Sequence, residues 1–245
     1  MAASSQKLPM SLPSGETSLA EALESFAAGQ PSPGSGSANA LIGAVAAALT
    51  ASVAKKTVQH ADTPRYRPIS DRARGIANRA TKWSRELLRY FEEDAAAFRN
   101  VVAIRLKADT LSEKYLIDQA RREEIADMKP ATEIPLGIAA ICLDVAESAG
   151  FMVERGYATA RGESYSALVG ALAAADGAIY VARVNISDVN KKIESLNDPG
   201  YERPWLRRMN RQVKELAERY VAARSREQEI RERYPAARTK RPRTK

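Results

Sequence analysis

We single out three side chains of the 245-residue sequence as candidates for proton transfer: His60, Asp94 and Glu163. His60 is the single histidine, and imidazole has an unperturbed pKa near 6.5, which suits proton exchange at neutral pH. Asp94 falls on an apolar stripe, four residues after Tyr90 and four before Phe98. Carboxylates are rarely buried without a partner, so Asp94 is either functional or bonded to the end of a neighbouring backbone.

The other polar candidates each have a structural explanation as well. His60 follows a long apolar segment, where an imidazolium caps the last carbonyls of a helix. Glu163 lies near the start of an alanine-rich segment, where the helix dipole favours a carboxylate. Asn185 can simply end a helix. The sequence leaves these alternatives open.

The stretch Ser-Pro-Gly-Ser-Gly-Ser at residues 32–37, which we call the Ser/Gly segment, directly precedes the apolar segment that ends near His60. The first amides of a helix are unpaired and carry partial positive charge, and glycine lets a ligand approach them closely. The segment is therefore a candidate cradle for an anion or a carbonyl, with Ser35 or Ser37 capping the amides when no ligand is present. The alternative is an ordinary linker between two helices. No Gly-Lys-Ser/Thr follows, so the segment is not a P-loop.

Composition predicts an all-α antiparallel bundle with buried alanine-rich helices. Of the 245 residues 44 are alanine, the best helix former, and only 6% are aromatic. The segment 38–58 is apolar nearly all round, which is typical of a central, fully buried helix; its apolar run of about 15 residues is shorter than a bilayer span. We expect six to eight helices, over about 17–28, 38–58, 70–107, 111–128, 133–155, 163–184, a segment from 185 to 196, and 203–233.

One cysteine and one histidine exclude several classes of site. Cys142 alone cannot form a disulfide framework or a cysteine-cluster zinc site, and His60 alone cannot form a multi-histidine metal site. A Ser-His-Asp triad would need His60 as its base. We therefore expect no metal site, and the absence of a signal-peptide pattern predicts a cytoplasmic location without a membrane partner.

Much of the net charge of +8 lies near the end of the chain. Residues 224–245 hold nine basic and three acidic side chains, and the last eight residues have no aromatic side chain for stacking on bases. Nucleic-acid binding is therefore an unfavoured function. We predict three parts: a disordered arm over 1–16, a single helical domain over 17–234, and a basic disordered tail over 235–245.

Four stretches in order resemble one enzyme family. Residues 18–57, SLAEALESFAAGQPSPGSGSANALIGAVAAALTASVAKKT, are similar to the start of the formimino-tetrahydrofolate cyclodeaminase and methenyl-tetrahydrofolate cyclohydrolase family. That start has a Pro-Thr-Pro-Gly-Gly-Gly-Ser loop and an alanine-rich helix ending in Leu-Thr-x-Gly-Lys-Lys. The family's Asp-x-x-Ala-Phe, Val-Pro-Leu and Gly-Asn to Asn-Leu stretches resemble Asp94–Phe98, Ile134–Leu136 and Gly156–Ile186.

The sequence departs from that family at several polar positions. The Gly-Lys-Lys of the family falls on Gln59-His60-Ala61, and its Ser-Asp falls on Gly162-Glu163. Its Gly-Asn falls on Gly156-Tyr157, and the middle glycine of its loop is Ser35. Asp94 and Asn185 are retained.

The resemblance implies chemistry on tetrahydrofolate one-carbon adducts, with a tetrahydrofolate derivative as substrate and no bound prosthetic group. A cyclodeaminase closes the 5,10-methenyl bridge with loss of ammonia, and a cyclohydrolase opens that bridge with water. His60 would then be the acid–base group, and Asp94 or Glu163 would stabilise the cationic bridge or orient His60. The implied substrate-binding residues are Ser32, Pro33, Gly34, Ser35, Gly36, Ser37, Asn39 and Asn185.

The family also implies a homodimer whose cleft lies partly at the subunit contact. All roles given to His60, Asp94 and Glu163 require these side chains to converge. Two alternatives stay open: an enzyme on the same scaffold that acts on a non-folate imine or amidine or performs a cyclisation, and a non-catalytic binding protein.

Overall fold

The described chain is a bundle of six α-helices. A computed structural model describes residues 18–196, 198 and 200–234, and this part contains no strand, which confirms the predicted all-α class. The predicted arm over 1–16 and tail over 235–245 lie outside the described residues. The helices are α1 (Leu19–Ala27), α2 (Ser35–Gln59), α3 (Ser70–Ala108), α4 (Lys114–Arg155), α5 (Arg161–Ser195) and α6 (Arg203–Arg233), with short 3-10 turns at Arg67–Ile69 and Ala158–Ala160.

Helix α2 is the centre of the bundle and packs against α3, α4 and α5. Its small side chains allow this close approach: Ala40, Ala47 and Ala54 have no exposed surface. The prediction that α2 is buried all round is wrong along one row, because Ile42 and Val45 are 44% and 55% exposed. Three helices therefore cover α2 on most sides and leave one apolar strip open.

Helix α5 runs antiparallel to α2. Asn39, near the start of α2, packs on Gly177, and Lys56, near its end, pairs with Glu163 at the start of α5. The long helices therefore have two common ends, and each site residue belongs to one of them.

Two predicted helix breaks are absent. Helix α4 continues through Pro130 and Pro135, and α5 continues through Asn185, so the predicted boundaries at 128–133 and 184–185 are wrong. Proline lacks an N–H, so Pro135 leaves the carbonyl of Ala131 without its helical donor. The side chain of Asn185 donates Nδ2 to that carbonyl over 2.7 Å. A neighbouring helix thus satisfies the carbonyl freed by the proline, which sequence patterns along one helix do not reveal.

The helix ends agree with the predictions in one place and differ in another. Ser18 and Glu21 form a capping box at α1, and Gly29, with a φ of +68°, follows its end. Helix α2 begins at Ser35, three residues earlier than predicted, and its N-cap Gly34 has no side chain to bond the first amides. The predicted cap by Ser35 or Ser37 is therefore wrong.

Three helices are long and apolar enough to cross a bilayer by length and composition alone. They span 35–59, 114–155 and 158–195, and 56%, 67% and 50% of their most apolar windows are buried within the bundle. Much of this apolar surface serves contacts between helices.

Candidate active site

A cleft of about 290 Å³ opens where the Ser/Gly segment meets α3, α4 and α5. It combines an apolar wall with the buried polar side chains of Asp94 and Asn185 and with the backbone at the start of α2. The lining residues are Pro31, Gly34, Ser35, Gly36, Asp94, Phe98, Ala131, Tyr180, Val181, Val184 and Asn185.

Asp94 provides the missing cap of α2. Its buried carboxylate accepts a 2.7 Å hydrogen bond from the hydroxyl of Ser37 and a further bond from the Ser37 amide. Burial raises the pKa of Asp94 above that of an ordinary aspartate, and the two Ser37 bonds partly oppose this shift. Asp94 is therefore bonded to the backbone at a neighbouring helix end, which is one of the two interpretations of its stripe position, and it also lines a cleft.

Gly36 makes this arrangement sterically possible. A Cβ atom at position 36 would overlap the Asp94 carboxylate, so any larger residue would push Asp94 away. The other glycine of the Ser/Gly segment, Gly34, is the N-cap of α2 and has room for a side chain. The requirement for glycine therefore lies at the position facing Asp94.

The rest of the segment is fixed to α3. Ser32 and Pro33 are buried, and the Ser32 hydroxyl donates a 2.7 Å hydrogen bond to the carbonyl of Ala95. An ordinary flexible linker would leave these residues in solvent. The segment is therefore a fixed wall of the cleft, and the bond from Ser32 to Ala95, the residue after Asp94, holds it in position.

Asn185 and Asn39 have different positions. Asn185 lines the cleft while its Nδ2 donates to the Ala131 carbonyl, which leaves Oδ1 as the remaining acceptor of the side chain. Asn39 lies one turn after Ser35 along α2, and its carboxamide packs against Gly177 between α2 and α5. Asn39 does not line the cleft.

His60 and Glu163 lie at the opposite end of α2. His60 is the C-cap of α2; its Nδ1 donates to the Lys56 carbonyl over 2.8 Å, and its ring stacks on Tyr157 at 4.4 Å. Glu163 is 3.9 Å from Lys56 Nζ. A helix of 25 residues is roughly 35 Å long, so these groups are far from Asp94. The expected convergence of all three side chains within one chain is therefore wrong.

The sequence analysis missed Lys56 as a member of the His60 end. The family lysines align with 60 and 61, but Lys56 lies four residues before His60 and hence on the same face of α2. That spacing is visible in the sequence. Lys56 brings a cation to the end of α2 that holds His60 and Glu163.

A partly exposed ion network ties the cleft walls together one to two helical turns from the cleft. Arg105 of α3 donates to Glu124 of α4 and to Asp188 of α5, at 2.5 and 2.6 Å, and Lys192 is 3.0 Å from Glu124. Arg105 also faces the ring of Phe98, a cleft residue, at 6.0 Å. The network fixes the relative positions of the three helices that carry Asp94, Ala131 and Asn185.

The described residues offer no obvious metal centre. Within 18–196, 198 and 200–234, no three His, Cys, Asp or Glu side chains are grouped as a metal site requires. Asp94, Asn185 and the backbone amides at the start of α2 provide the cleft with groups for hydrogen bonding and charge stabilisation.

Comparisons with known proteins agree with the fold. The methenyltetrahydrofolate cyclohydrolase of Methylorubrum extorquens is 26% identical over 180 residues, which cover 73% of this chain and 83% of that protein. The crystal structure of formiminotetrahydrofolate cyclodeaminase from Thermotoga maritima has the same fold, with a TM-score of 0.64 at 21% identity, over 89% of this chain and 96% of that one.

The family match includes every residue of the cleft. The sequence profile described as formiminotransferase-cyclodeaminase matches residues 18–197, which include α1 to α5, and α6 follows the matched region. The chain belongs to the formiminotransferase-cyclodeaminase family.

Proposed function

We propose that this chain is a cytoplasmic enzyme of folate one-carbon chemistry that forms or opens the 5,10-methenyl bridge of tetrahydrofolate. The observation that carries the proposal is the buried Asp94 carboxylate, held by Ser37 in the wall of a cleft. The names of the relatives in Methylorubrum and Thermotoga supply the substrate class.

Asp94 is the group that acts on the reacting centre. The methenyl bridge carries positive charge shared between two nitrogens, and a carboxylate beside it stabilises that charge. The raised pKa of Asp94 brings its protonation closer to neutral pH, which suits proton transfer at a folate nitrogen. The Ser37 hydroxyl keeps the carboxylate in place while its charge changes.

The Ser/Gly segment and Asn185 orient the substrate. The unpaired amides at the start of α2 are donors for carbonyl or ring-nitrogen acceptors of a pterin, and Gly34 and Gly36 permit close approach. Asn185 adds a carboxamide oxygen, held by its bond to Ala131. Phe98 and Tyr180 line the apolar wall against which a flat ring can pack.

One chain supplies part of the site, and a homodimer supplies the rest. The cleft volume of about 290 Å³ is just below the range of roughly 300–1,000 Å³ of pockets that enclose drug-sized ligands. Its rim continues into an exposed apolar face on α2 and α5. This face contains Ile42, Val45, Val169, Tyr180 and Val184, which are 37–68% exposed.

A second copy on this face would join the two ends of α2. A twofold axis near Val45, with the α2 helices antiparallel, sets residues ten before Val45 opposite residues ten after it. Ser35 of one subunit then faces Lys55 of the partner subunit. The cleft around Asp94 thereby receives a cationic end, where Lys56 and His60 of the partner subunit are within reach of the substrate.

One observation favours a second candidate function. The family lysines are replaced at 60 and 61, so an enzyme on the same scaffold that acts on a non-folate amidine is the alternative. Binding of a folate without turnover would instead support the binding-protein alternative.

The test is turnover of two substrates by the full chain. We expect 5,10-methenyl-tetrahydrofolate to lose its absorbance, or 5-formimino-tetrahydrofolate to release ammonia, with saturation in substrate. Asp94→Asn should reduce kcat by about a hundredfold or more. The control is Glu93→Gln, which removes the partly exposed carboxylate of the preceding residue and should leave kcat within about twofold. Absence of turnover with both substrates, or equal rates in the two variants, would overturn the proposal.

A further inference from the structure

A second cavity, of about 850 Å³, lies at the end of the bundle away from the cleft. It is formed by the last turns of α4 and α6 and the first turns of α5. The lining residues are Val153, Arg161, Gly162, Tyr165, Arg231, Arg233 and Tyr234, which we call the arginine pocket. Three guanidinium groups and two phenol rings converge there without an acidic lining residue.

Arg161 is held in a fixed orientation in this pocket. Its Nε donates a 3.2 Å hydrogen bond to the Val153 carbonyl, and its guanidinium lies 4.6 Å from the centre of the Tyr234 ring. The described residues place no carboxylate in an ion pair with it. A guanidinium fixed by a backbone bond and a ring loses little entropy when its remaining N–H groups bind an anion.

The neighbouring carboxylates are already engaged by other arginines. Glu154 is bound by Arg226 and Arg233, and the buried Glu227 accepts from Tyr165 and from Arg224. Arg231 has no ion pair in the described part of the chain. The pocket therefore retains the positive charge of Arg161 and Arg231.

Two further features add to this charge. The pocket includes Gly162 in the first turn of α5, where the helix dipole is positive and no side chain caps the helix. The sequence after Tyr234 carries five basic residues between 238 and 245 and no acidic side chain, so this segment offers no carboxylate side chain of its own to fill the pocket.

We propose that the arginine pocket binds an anionic group with two or more negative charges, phosphoryl or polycarboxylate. Guanidinium groups bind both through paired, charge-assisted hydrogen bonds. The pocket is separate from the cleft, because Gly162 and Val181 are 19 residues apart on α5, roughly 28 Å. The inference goes beyond the proposed folate reaction and does not depend on it.

Calorimetric titration of the full chain at fixed ionic strength tests the proposal. Pyrophosphate and citrate are the two probes, and they distinguish a phosphoryl from a carboxylate ligand. We expect one saturable site for at least one probe. Arg231→Gln should weaken it about tenfold, and Arg161→Gln with Arg231→Gln should weaken it further.

Arg207→Gln is the matched control, since Arg207 is an exposed arginine of α6 outside the pocket. Its affinity should stay within about twofold of the parent. We expect Arg231→Gln to retain the parent's helical circular dichroism, because it breaks no ion pair among the described residues. Absence of saturable binding by both probes, or equal weakening by Arg207→Gln and Arg231→Gln, would overturn the proposal.

Discussion

The two ends of α2 carry different chemistry because a helix presents different backbone groups at each end. At its start, unpaired amides meet the buried Asp94, which accepts from Ser37. At its other end, unpaired carbonyls meet His60, whose Nδ1 donates to Lys56. An acid at the first end and an imidazole at the last both satisfy the helix dipole.

The difference lies in what surrounds each group. Asp94 lines a cleft with an apolar wall and its pKa is raised by burial. His60 is half-buried and stacked on Tyr157, and its ring bond serves the helix end. A titratable residue therefore marks a helix end equally well whether its site is formed within one chain, as for Asp94, or only with a partner subunit, as we propose for His60.

Gly36→Ala is the substitution expected to damage the Asp94 end most. The added Cβ would displace the carboxylate, and misplacing a reacting group by about 1 Å costs roughly a hundredfold in rate. We expect kcat to fall by that factor while the helical circular dichroism is retained. Gly162→Ala is the control, because a Cβ there meets no atom within 4 Å. A fully active Gly36→Ala enzyme would show that the close approach of Asp94 is not needed.

Asn185→Ala should lower the free energy of unfolding by about 1–3 kcal/mol, because the buried Ala131 carbonyl loses its hydrogen-bond donor. Pro135→Ala restores a backbone N–H that can bond the same carbonyl. In chemical denaturation, the cost of Asn185→Ala should therefore be much smaller in the Pro135→Ala background. Equal costs in both backgrounds would refute the link between the two residues.

Asp94 also predicts a sign for the pH dependence of stability. Burial raises the pKa of Asp94 in the folded state, so the folded protein binds the proton more tightly than the unfolded chain does. The free energy of unfolding therefore falls as the pH rises from the pKa of an ordinary aspartate through the folded pKa. Asp94→Asn removes this loss. The stability of Asp94→Asn relative to the parent should therefore increase with pH across that window, measured by denaturation at several pH values. Glu93→Gln should show no such trend.

The smallest effect is expected from removing the ion network below the cleft. Glu124→Gln keeps the shape of the side chain but weakens its bonds to Arg105 and Lys192. Because those two cations are partly exposed, we expect a loss of about 1–2 kcal/mol in unfolding free energy and a modest rise in KM. An unchanged KM together with unchanged stability would show that the network does not position the cleft walls.

Structural features that depend on periodicity along one helix can be predicted from the sequence. The stripe carrying Asp94 and the apolar α2 are of this kind. The continuity of α4 and α5 is not, because a side chain of one helix satisfies the carbonyl that a proline of another leaves free. The separation of His60 from the Ser/Gly segment follows from the length of α2 itself. The proposed dimer contact depends on the exposed row of Ile42 and Val45, which only the packed bundle defines.

The shared-site account is tested most directly by mixing two inactive variants. Asp94→Asn and His60→Ala damage opposite ends of α2, and a mixed dimer would contain one site with both changes and one with neither. Random mixing makes about half the dimers mixed, so activity should recover to about a quarter of that of the parent enzyme. Full activity of His60→Ala alone, or no recovery on mixing after subunit exchange is verified, would contradict a site built from both ends of α2.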